Sequence, residues 1–182
     1  MKNFITILKD IWKIEELKNK ILLTLGLIAV YRFMAGVPLP GIDPLQLSAL
    51  KEGTSSGLLG LLNAFTGGAF SRASIMALGI MPYISASIVV QLMGIAVPYL
   101  QKLQKEGQEG QKKINQYTRY GTVFLSMVQA IGISVWLQDI RDDLGRSAVV
   151  DPGPGFVFLT VITMTTGTIF LMWLGEQIQE RG

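Results

Sequence analysis

The residue types that carry most enzyme chemistry are missing from this sequence. Its 182 residues include no cysteine and no histidine, which excludes thiolate nucleophiles, cysteine-ligated metals and the commonest general base. The adjacent carboxylates of Asp142 and Asp143 have no third carboxylate placed to complete a cation cage. The sequence therefore predicts a protein that is not an enzyme and that uses no metal or cofactor.

The remaining candidates for a functional role, other than catalysis, are polar side chains that lie within apolar stretches. Ser85 and Ser87 interrupt one apolar stretch, Gln129 interrupts another, and Arg32 lies near the end of a third. Small polar residues of this kind usually serve helix packing and interhelical hydrogen bonds, and Arg32 can extend its charge to the membrane surface. No Asp, Glu or Lys lies at membrane depth, which disfavours a proton- or ion-coupled carrier.

The apolar stretches themselves predict an all-α polytopic membrane protein. Apolar residues make up 49% of the chain and charged residues 16%, compared with about 25% charged in soluble proteins. About 20 apolar residues cross a hydrocarbon core of roughly 30 Å, and membrane helices tolerate internal prolines such as Pro82 and Pro98. We predict four transmembrane helices, at residues 21–37, 73–100, 120–138 and 156–174.

The distribution of Lys and Arg predicts which connections face the cytoplasm. Eleven of these 16 residues lie in segments 1–20, 101–119 and 175–182, whereas four lie in segments 38–72 and 139–155. Cytoplasmic loops carry the excess of Lys and Arg, so the N-terminus is expected in the cytoplasm. Residues 1–20 also repeat apolar residues every three or four positions, which predicts an amphipathic helix on the membrane surface or against a partner protein.

The external segment 38–72 contains an apolar piece that is too short to cross a membrane. Prolines near its start stop the preceding helix, and the apolar run that begins at Gly57 ends at Gly67 and Gly68. A run of this length is typical of a re-entrant helix or a buried core helix. From these residues alone, a helix that lies on the surface is about as well supported as a re-entrant or buried one.

Several motifs then resemble one membrane-protein family, in order and at matching spacing. They are Gly67-Gly68-Ala69-Phe70-Ser71-Arg72, Gly79-Ile80-Met81-Pro82-Tyr83-Ile84-Ser85, Ile114-Asn115-Gln116-Tyr117-Thr118-Arg119-Tyr120-Gly121 and Trp173-Leu174-Gly175-Glu176-Gln177. They resemble the SecY subunit of the bacterial protein-conducting channel, over essentially the whole chain. The resemblance implies a clamshell of ten transmembrane helices in two pseudo-symmetric halves, enclosing an hourglass pore in the inner membrane.

The resemblance also implies roles for individual positions. Ile80 and Ile84, one helical turn apart, match pore-constriction positions, and Gly67 and Gly68 match the hinge of a plug that fills the outer funnel at rest. The other implied positions are Leu58, Leu61, Phe65 and Phe70 for the plug, Ser85, Ser87 and Gln129 for a lateral gate, and Lys105, Lys112, Lys113 and Arg119 for cytosolic contacts.

The implied function is passage of unfolded secretory polypeptides and lateral release of hydrophobic segments into the membrane. The implied partners are the SecE and SecG subunits, a SecA motor or a ribosome, signal sequences, nascent polypeptides, membrane lipids and an insertase, with only indirect or weak contact to ribosomal RNA. The sequence predicts four spans, whereas the family has ten, so these residues alone should not form a complete pore. We expect the chain to be a truncated product, an insertion intermediate or one part of a divided chain. The alternative is a fragment held as a client by a ribosome or insertase.

Overall fold

A computed structural model describes residues 13–43, 57–141 and 147–182 of the chain. The described residues form helices joined by turns, in agreement with the predicted all-α class. The helices are α1 (Glu15–Met34), α2 (Gly57–Phe65), α3 (Met81–Ala96), α4 (Pro98–Lys105), α5 (Gln108–Asp139) and α6 (Pro154–Arg181). Most of the predicted amphipathic helix of residues 1–20 lies outside the described residues.

The described helices that could cross a membrane are fewer than the four predicted spans. The 32 residues of α5 and the 28 residues of α6 are long and apolar enough, and α3 with α4 would add a third span if the bent pair is counted as one. Helix α1 overlaps the predicted first span, but Lys18, Lys20 and Arg32 lie within its 20 residues. The fold is thus a membrane-capable helical bundle with two to three such helices among the described residues.

The predicted second span, residues 73–100, is divided in the structure. Helix α3 starts only at Met81, because positive φ angles at Ala73 (43°) and Gly79 (57°) are incompatible with a right-handed helix. At the other end, α3 and α4 are bent by 100°. Val97 between them has extended angles (φ −102°, ψ 115°), as expected for a residue whose helical conformation is obstructed by the ring of a following proline.

The packing core lies where the loops gather at one end of the bundle. Isolated antiparallel bridges join Pro38 to Ser74 and Ile42 to Val149, so the segments after α1, before α3 and before α6 are tied together. Buried residues from these segments and from α5 and α6 form one cluster, consisting of Leu39, Ile42, Phe70, Ala73, Ala77, Leu78, Ala130, Leu137, Val149, Phe156 and Met164. This cluster holds the turns of residues 66–80 against the two long helices.

Small residues allow the close approach of these elements. A Cβ atom added to Gly167 of α6 would collide with the carbonyl of Ile75, and one added to Gly121 of α5 would lie 3.4 Å from the Cβ of Ala86 in α3. Close approach over small residues is the usual way that helices associate in a membrane. The position of the turns beside α6 therefore depends on Gly167, whereas a Cβ at residue 121 would make only an ordinary van der Waals contact with Ala86 of α3.

Candidate functional site

Helix α3 has one packed face and one open face. Pro82, Ala86 and Gly94 are buried, whereas Ile80, Ile84 and Ile88 are 41%, 43% and 52% exposed. Two residues correspond to about 200° around a helix, so the isoleucines lie on the face opposite Pro82 and Ala86. The amide of Ile84 donates to the carbonyl of Ile80 at 3.1 Å, which sets these two side chains one turn apart. The isoleucine stripe (Ile80, Ile84 and Ile88) faces away from the described bundle.

The three polar residues assigned to a lateral gate lie in different surroundings. Gln91 Nε2 donates to the hydroxyl of Ser87 at 3.1 Å, and Ser85 is half-buried. Gln129 of α5 lines a cavity of about 340 Å³ together with Thr66, Phe70, Ala77, Leu78, Met81, Gly132 and Ile133. Ser85 and Ser87 do not line this cavity. Gln129 therefore lies beside the turns that follow α2, and not beside the two serines.

The residues assigned to a plug divide into two groups. Leu61 and Phe65 lie one turn apart on α2 and are 56% and 67% exposed. Phe70 follows the helix and is only 5% exposed, with its ring stacked on Trp136 of α5 at a centroid distance of 5.7 Å. Leu58 belongs to α2, and its side chain lies outside the described part. The nine-residue α2 thus presents apolar side chains outward, while the segment after it is anchored in the core.

The two glycines after α2 adopt the left-handed conformation that favours glycine. Gly67 has a φ of 60° and Gly68 a φ of 82°. The Gly67 amide donates to the Ala64 carbonyl at 3.1 Å, and the Gly68 amide donates to the Asn63 carbonyl at 2.9 Å. These bonds satisfy carbonyl groups at the end of α2, as left-handed residues commonly do at helix C-termini.

A second set of hydrogen bonds connects this turn to the last turn of α1. The Tyr31 hydroxyl donates to the Thr66 carbonyl at 3.1 Å, and Arg32 Nη1 donates to the Gly67 carbonyl at 3.1 Å. Arg72 Nη2 donates to the same Gly67 carbonyl, also at 3.1 Å. Arg32 therefore has a specific acceptor, which the sequence analysis missed. The available signal was that an arginine inside an apolar segment needs a partner.

At the opposite end of the bundle, Arg119 has an anionic partner. Its Nε and Nη2 donate to the two carboxylate oxygens of Glu176, at 2.9 and 2.8 Å, so α5 and α6 are joined by a two-point ion pair. Lys113 Nζ lies 4.0 Å from the carboxylate of Glu106, whereas Lys105 and Lys112 are exposed. Of the basic residues assigned to cytosolic contacts, Arg119 is thus also part of an internal link.

An apolar surface depression lies on the packed side of α3. A groove of about 600 Å³ runs between α3, α4 and α5, and its lining includes Val89, Met93, Leu100, Phe124 and Leu125. Among the described residues, no group of three acidic side chains is close enough to hold a metal ion. The described part of the chain thus offers apolar surfaces, a short helix followed by two left-handed glycines, and charged links between helices.

Comparison with known proteins identifies the family to which these features belong. The SecY family model matches residues 74–182. The chain is 49% identical over 167 residues to the protein translocase subunit SecY of Escherichia coli (strain K12), 50% identical over 167 residues to that of Haemophilus influenzae and 53% identical over 156 residues to that of Pseudomonas aeruginosa.

These alignments cover 92%, 92% and 85% of this chain, but only 37%, 37% and 34% of the respective relatives. The chain thus spans little more than a third of their length. The match of the family model over more than half of the chain, together with this level of identity, shows that the chain belongs to the SecY family of translocation-channel subunits and is not an enzyme.

Proposed function

We propose that this chain supplies part of the wall, the plug and one side of the lateral gate of a protein-conducting channel in the bacterial inner membrane. In this proposal it corresponds to the N-terminal portion of a ten-helix clamshell, which passes unfolded polypeptides across the membrane and releases hydrophobic segments sideways. The observation that carries the proposal is the isoleucine stripe on α3, whose side chains are open while the opposite face of the helix is packed.

The chemistry of the isoleucine stripe suits a seal that can deform. A constriction lined by branched aliphatic side chains excludes water when it is narrow, and it thereby blocks ions without a charged barrier. Such side chains make no strong bonds to a passing polypeptide. Ile80 and Ile84 are therefore the proposed constriction residues of this chain, and in this proposal other parts of the channel supply the residues that face them.

The position of α2 suits a plug. It is short, its exposed Leu61 and Phe65 can pack against an apolar funnel, and after Thr66 it is followed by the left-handed Gly67 and Gly68. A short helix with few buried contacts opens locally at low free-energy cost, so it can leave the funnel while the core around Phe70 remains intact. This supports movement of α2 about the glycines.

Lateral release requires apolar surface next to polar groups of moderate strength. The apolar groove between α3, α4 and α5 supports contact with a hydrophobic segment. Hydrogen bonds between membrane helices contribute only about 1 kcal/mol, so Ser85, Ser87 and Gln129 are proposed to set the threshold at which the seam opens.

The proposed orientation places the N-terminus, α4 and the end of α6 on the cytoplasmic side, following the excess of Lys and Arg there. The exposed Lys105 and Lys112 are then available to a SecA motor or a ribosome, while SecE and SecG would cover other helices. The four-span count, with α1 as the first span, belongs to the same proposal.

Site-specific crosslinking tests this function directly. A photoreactive residue is placed at Ile80, Ile84 or, as a control, at the exposed Phe158 of α6, in a channel of the relatives' length carrying this sequence. A secretory polypeptide stalled during translocation should crosslink at Ile80 and Ile84 and not at Phe158. Equal labelling at the three positions would contradict a pore at the isoleucine stripe.

A further inference from the structure

The last turn of α1 holds the backbone of the turn that follows α2. Tyr31 and Arg32 are adjacent in sequence, and their polar ends bind the adjacent carbonyls of Thr66 and Gly67, each at 3.1 Å. Because one hydroxyl and one guanidinium bind consecutive carbonyls, the contact fixes both the position and the direction of the chain there. It therefore acts on the glycine hinge itself and not on the side chains of α2.

Electrostatics favours this contact. Gly67 lies just beyond Phe65, the last residue of α2, where the aligned peptide dipoles of a helix give a partial negative charge. Two guanidinium groups, from Arg32 and Arg72, bind the same Gly67 oxygen. Arg72 belongs to the turn that it binds, whereas Arg32 comes from another helix, so of these two guanidinium groups it is Arg32 that ties the hinge to α1.

The other contacts of the last turn of α1 give this attachment a firm base. Ser74 Oγ donates to the carbonyl of Met34 at 3.2 Å. Tyr31 and Met34 pack against the buried Ala69 and Met76, and Phe170 of α6 packs against the same cluster. The end of α1 is therefore held by the core on one side, while it binds the hinge on the other.

We propose that Tyr31 and Arg32 are positioning residues that form a latch on the glycine hinge of α2. At rest the latch holds residues 66 and 67 against α1, and α2 can swing only after both hydrogen bonds are broken. A role of the latch in channel gating rests on the plug role proposed above. The latch itself restrains the hinge, and it can be tested without a translocation assay.

The variants separate the latch from general effects on α1. Arg32→Gln combined with Tyr31→Phe removes the guanidinium and the hydroxyl and preserves much of each side chain's volume. Arg32→Lys retains a positive charge but offers a single ammonium group in place of the guanidinium. It should therefore preserve the latch in part. Thr24→Ala is the matched control, because Thr24 makes its hydrogen bond within α1, to the Lys20 carbonyl, away from the hinge.

Hydrogen–deuterium exchange measured by mass spectrometry, on the complete channel in lipid nanodiscs, tests the latch. In the Tyr31→Phe, Arg32→Gln variant we expect exchange of the Gly67, Gly68 and Ser71 amides to rise at least tenfold. Arg32→Lys should give a smaller rise and Thr24→Ala none, and peptides of α5 and α6 should keep their protection in every variant.

Unchanged exchange at the hinge in the double variant, or an equal rise in Thr24→Ala, would overturn the latch. If the double variant loses protection throughout the bundle, the Tyr31→Phe and Arg32→Lys single variants are used instead. Unchanged exchange at the hinge amides in both single variants would then overturn the latch. Resting ion conductance of the same samples tests the plug role separately. Faster exchange without added conductance would support the latch and contradict a plug role for α2.

Discussion

At the scale of single residues, the ion pair of Arg119 and Glu176 connects the two longest helices. Its two hydrogen bonds match the planar geometry in which guanidinium and carboxylate groups bind most strongly. The Arg119 side chain is 50% exposed and that of Glu176 is 26% exposed, so water screens part of the attraction. The pair should therefore stabilise the packing of α5 on α6 modestly.

Neutralising Glu176 tests this contribution. In Glu176→Gln we expect the free energy of unfolding to fall by roughly 0.5–1 kcal/mol, the upper range for exposed pairs, because Arg119 loses its anionic partner. Glu180→Gln is the control, since Glu180 lies one turn further along α6 and is exposed. Thermal unfolding in one detergent measures both variants, and equal destabilisation would contradict a specific role of the pair.

The partners of Arg32 and Arg119 explain why their contacts were not predicted from the sequence. Arg32 binds a carbonyl 35 residues away, and Arg119 binds a carboxylate 57 residues away. Neighbouring residues give no information on contacts at such separations, so Arg32 was expected to reach the membrane surface. The left-handed turn at Gly67 and Gly68, in contrast, depends on local backbone sterics that favour glycine, and its role as a hinge stays a prediction.

At the scale of helices, the bend between α3 and α4 directs the chain away from the axis of α3. It arises at one peptide, where extended Val97 precedes Pro98, and Pro98 then starts α4. The same bend forms one wall of the apolar groove, because Val97 and Leu100 line it together with residues of α5. The shape of the groove is therefore set by the bend.

Replacing Pro98 should straighten this region. In Pro98→Ala, residue 97 can become helical and α3 can continue into α4, so residues 92 and 104 would approach a separation of about 18 Å at 1.5 Å per residue. Spin labels at these two positions should therefore report a longer distance than in the parent. The control is Pro154→Ala, at the first turn of α6 where no bend occurs, and it should leave the distance between the two labels unchanged. If the distance does not lengthen in Pro98→Ala, proline is not the cause of the bend.

The boundaries of α3 show how far helix prediction from sequence reached. Residues 73–100 were predicted as one span because they are rich in apolar residues and contain no Asp, Glu, Lys or Arg. Hydropathy does not report backbone angles, so the turns up to Ile80 and the break at Val97 were not anticipated. The all-α class could be predicted, since long apolar runs in α5 and α6 leave little choice.

At the scale of the whole molecule, the isoleucine stripe is exposed and lies opposite the face of α3 on which the described helices pack. The chain spans 37% of the length of the Escherichia coli relative, and the described bundle packs only one face of α3. The family motifs suggested Ile80 and Ile84 as constriction residues, which stays a prediction, and the structure shows both exposed on the face opposite the packing. The residues that would face them in the proposed pore could not be predicted from the apolar pattern of one helix.

Resting conductance of a channel with a polar residue in the stripe tests the central claim most directly. The channel, of the relatives' length and carrying this sequence, is reconstituted in a planar bilayer with Ile84→Ser, and with Ile162→Ser as a control at an exposed position of α6. Because a hydroxyl favours water in a narrow apolar constriction, we expect resting ion conductance to rise severalfold in Ile84→Ser and to stay at the parent level in Ile162→Ser. Parent-level conductance in Ile84→Ser, or the same rise in both variants, would contradict a seal formed by the isoleucine stripe.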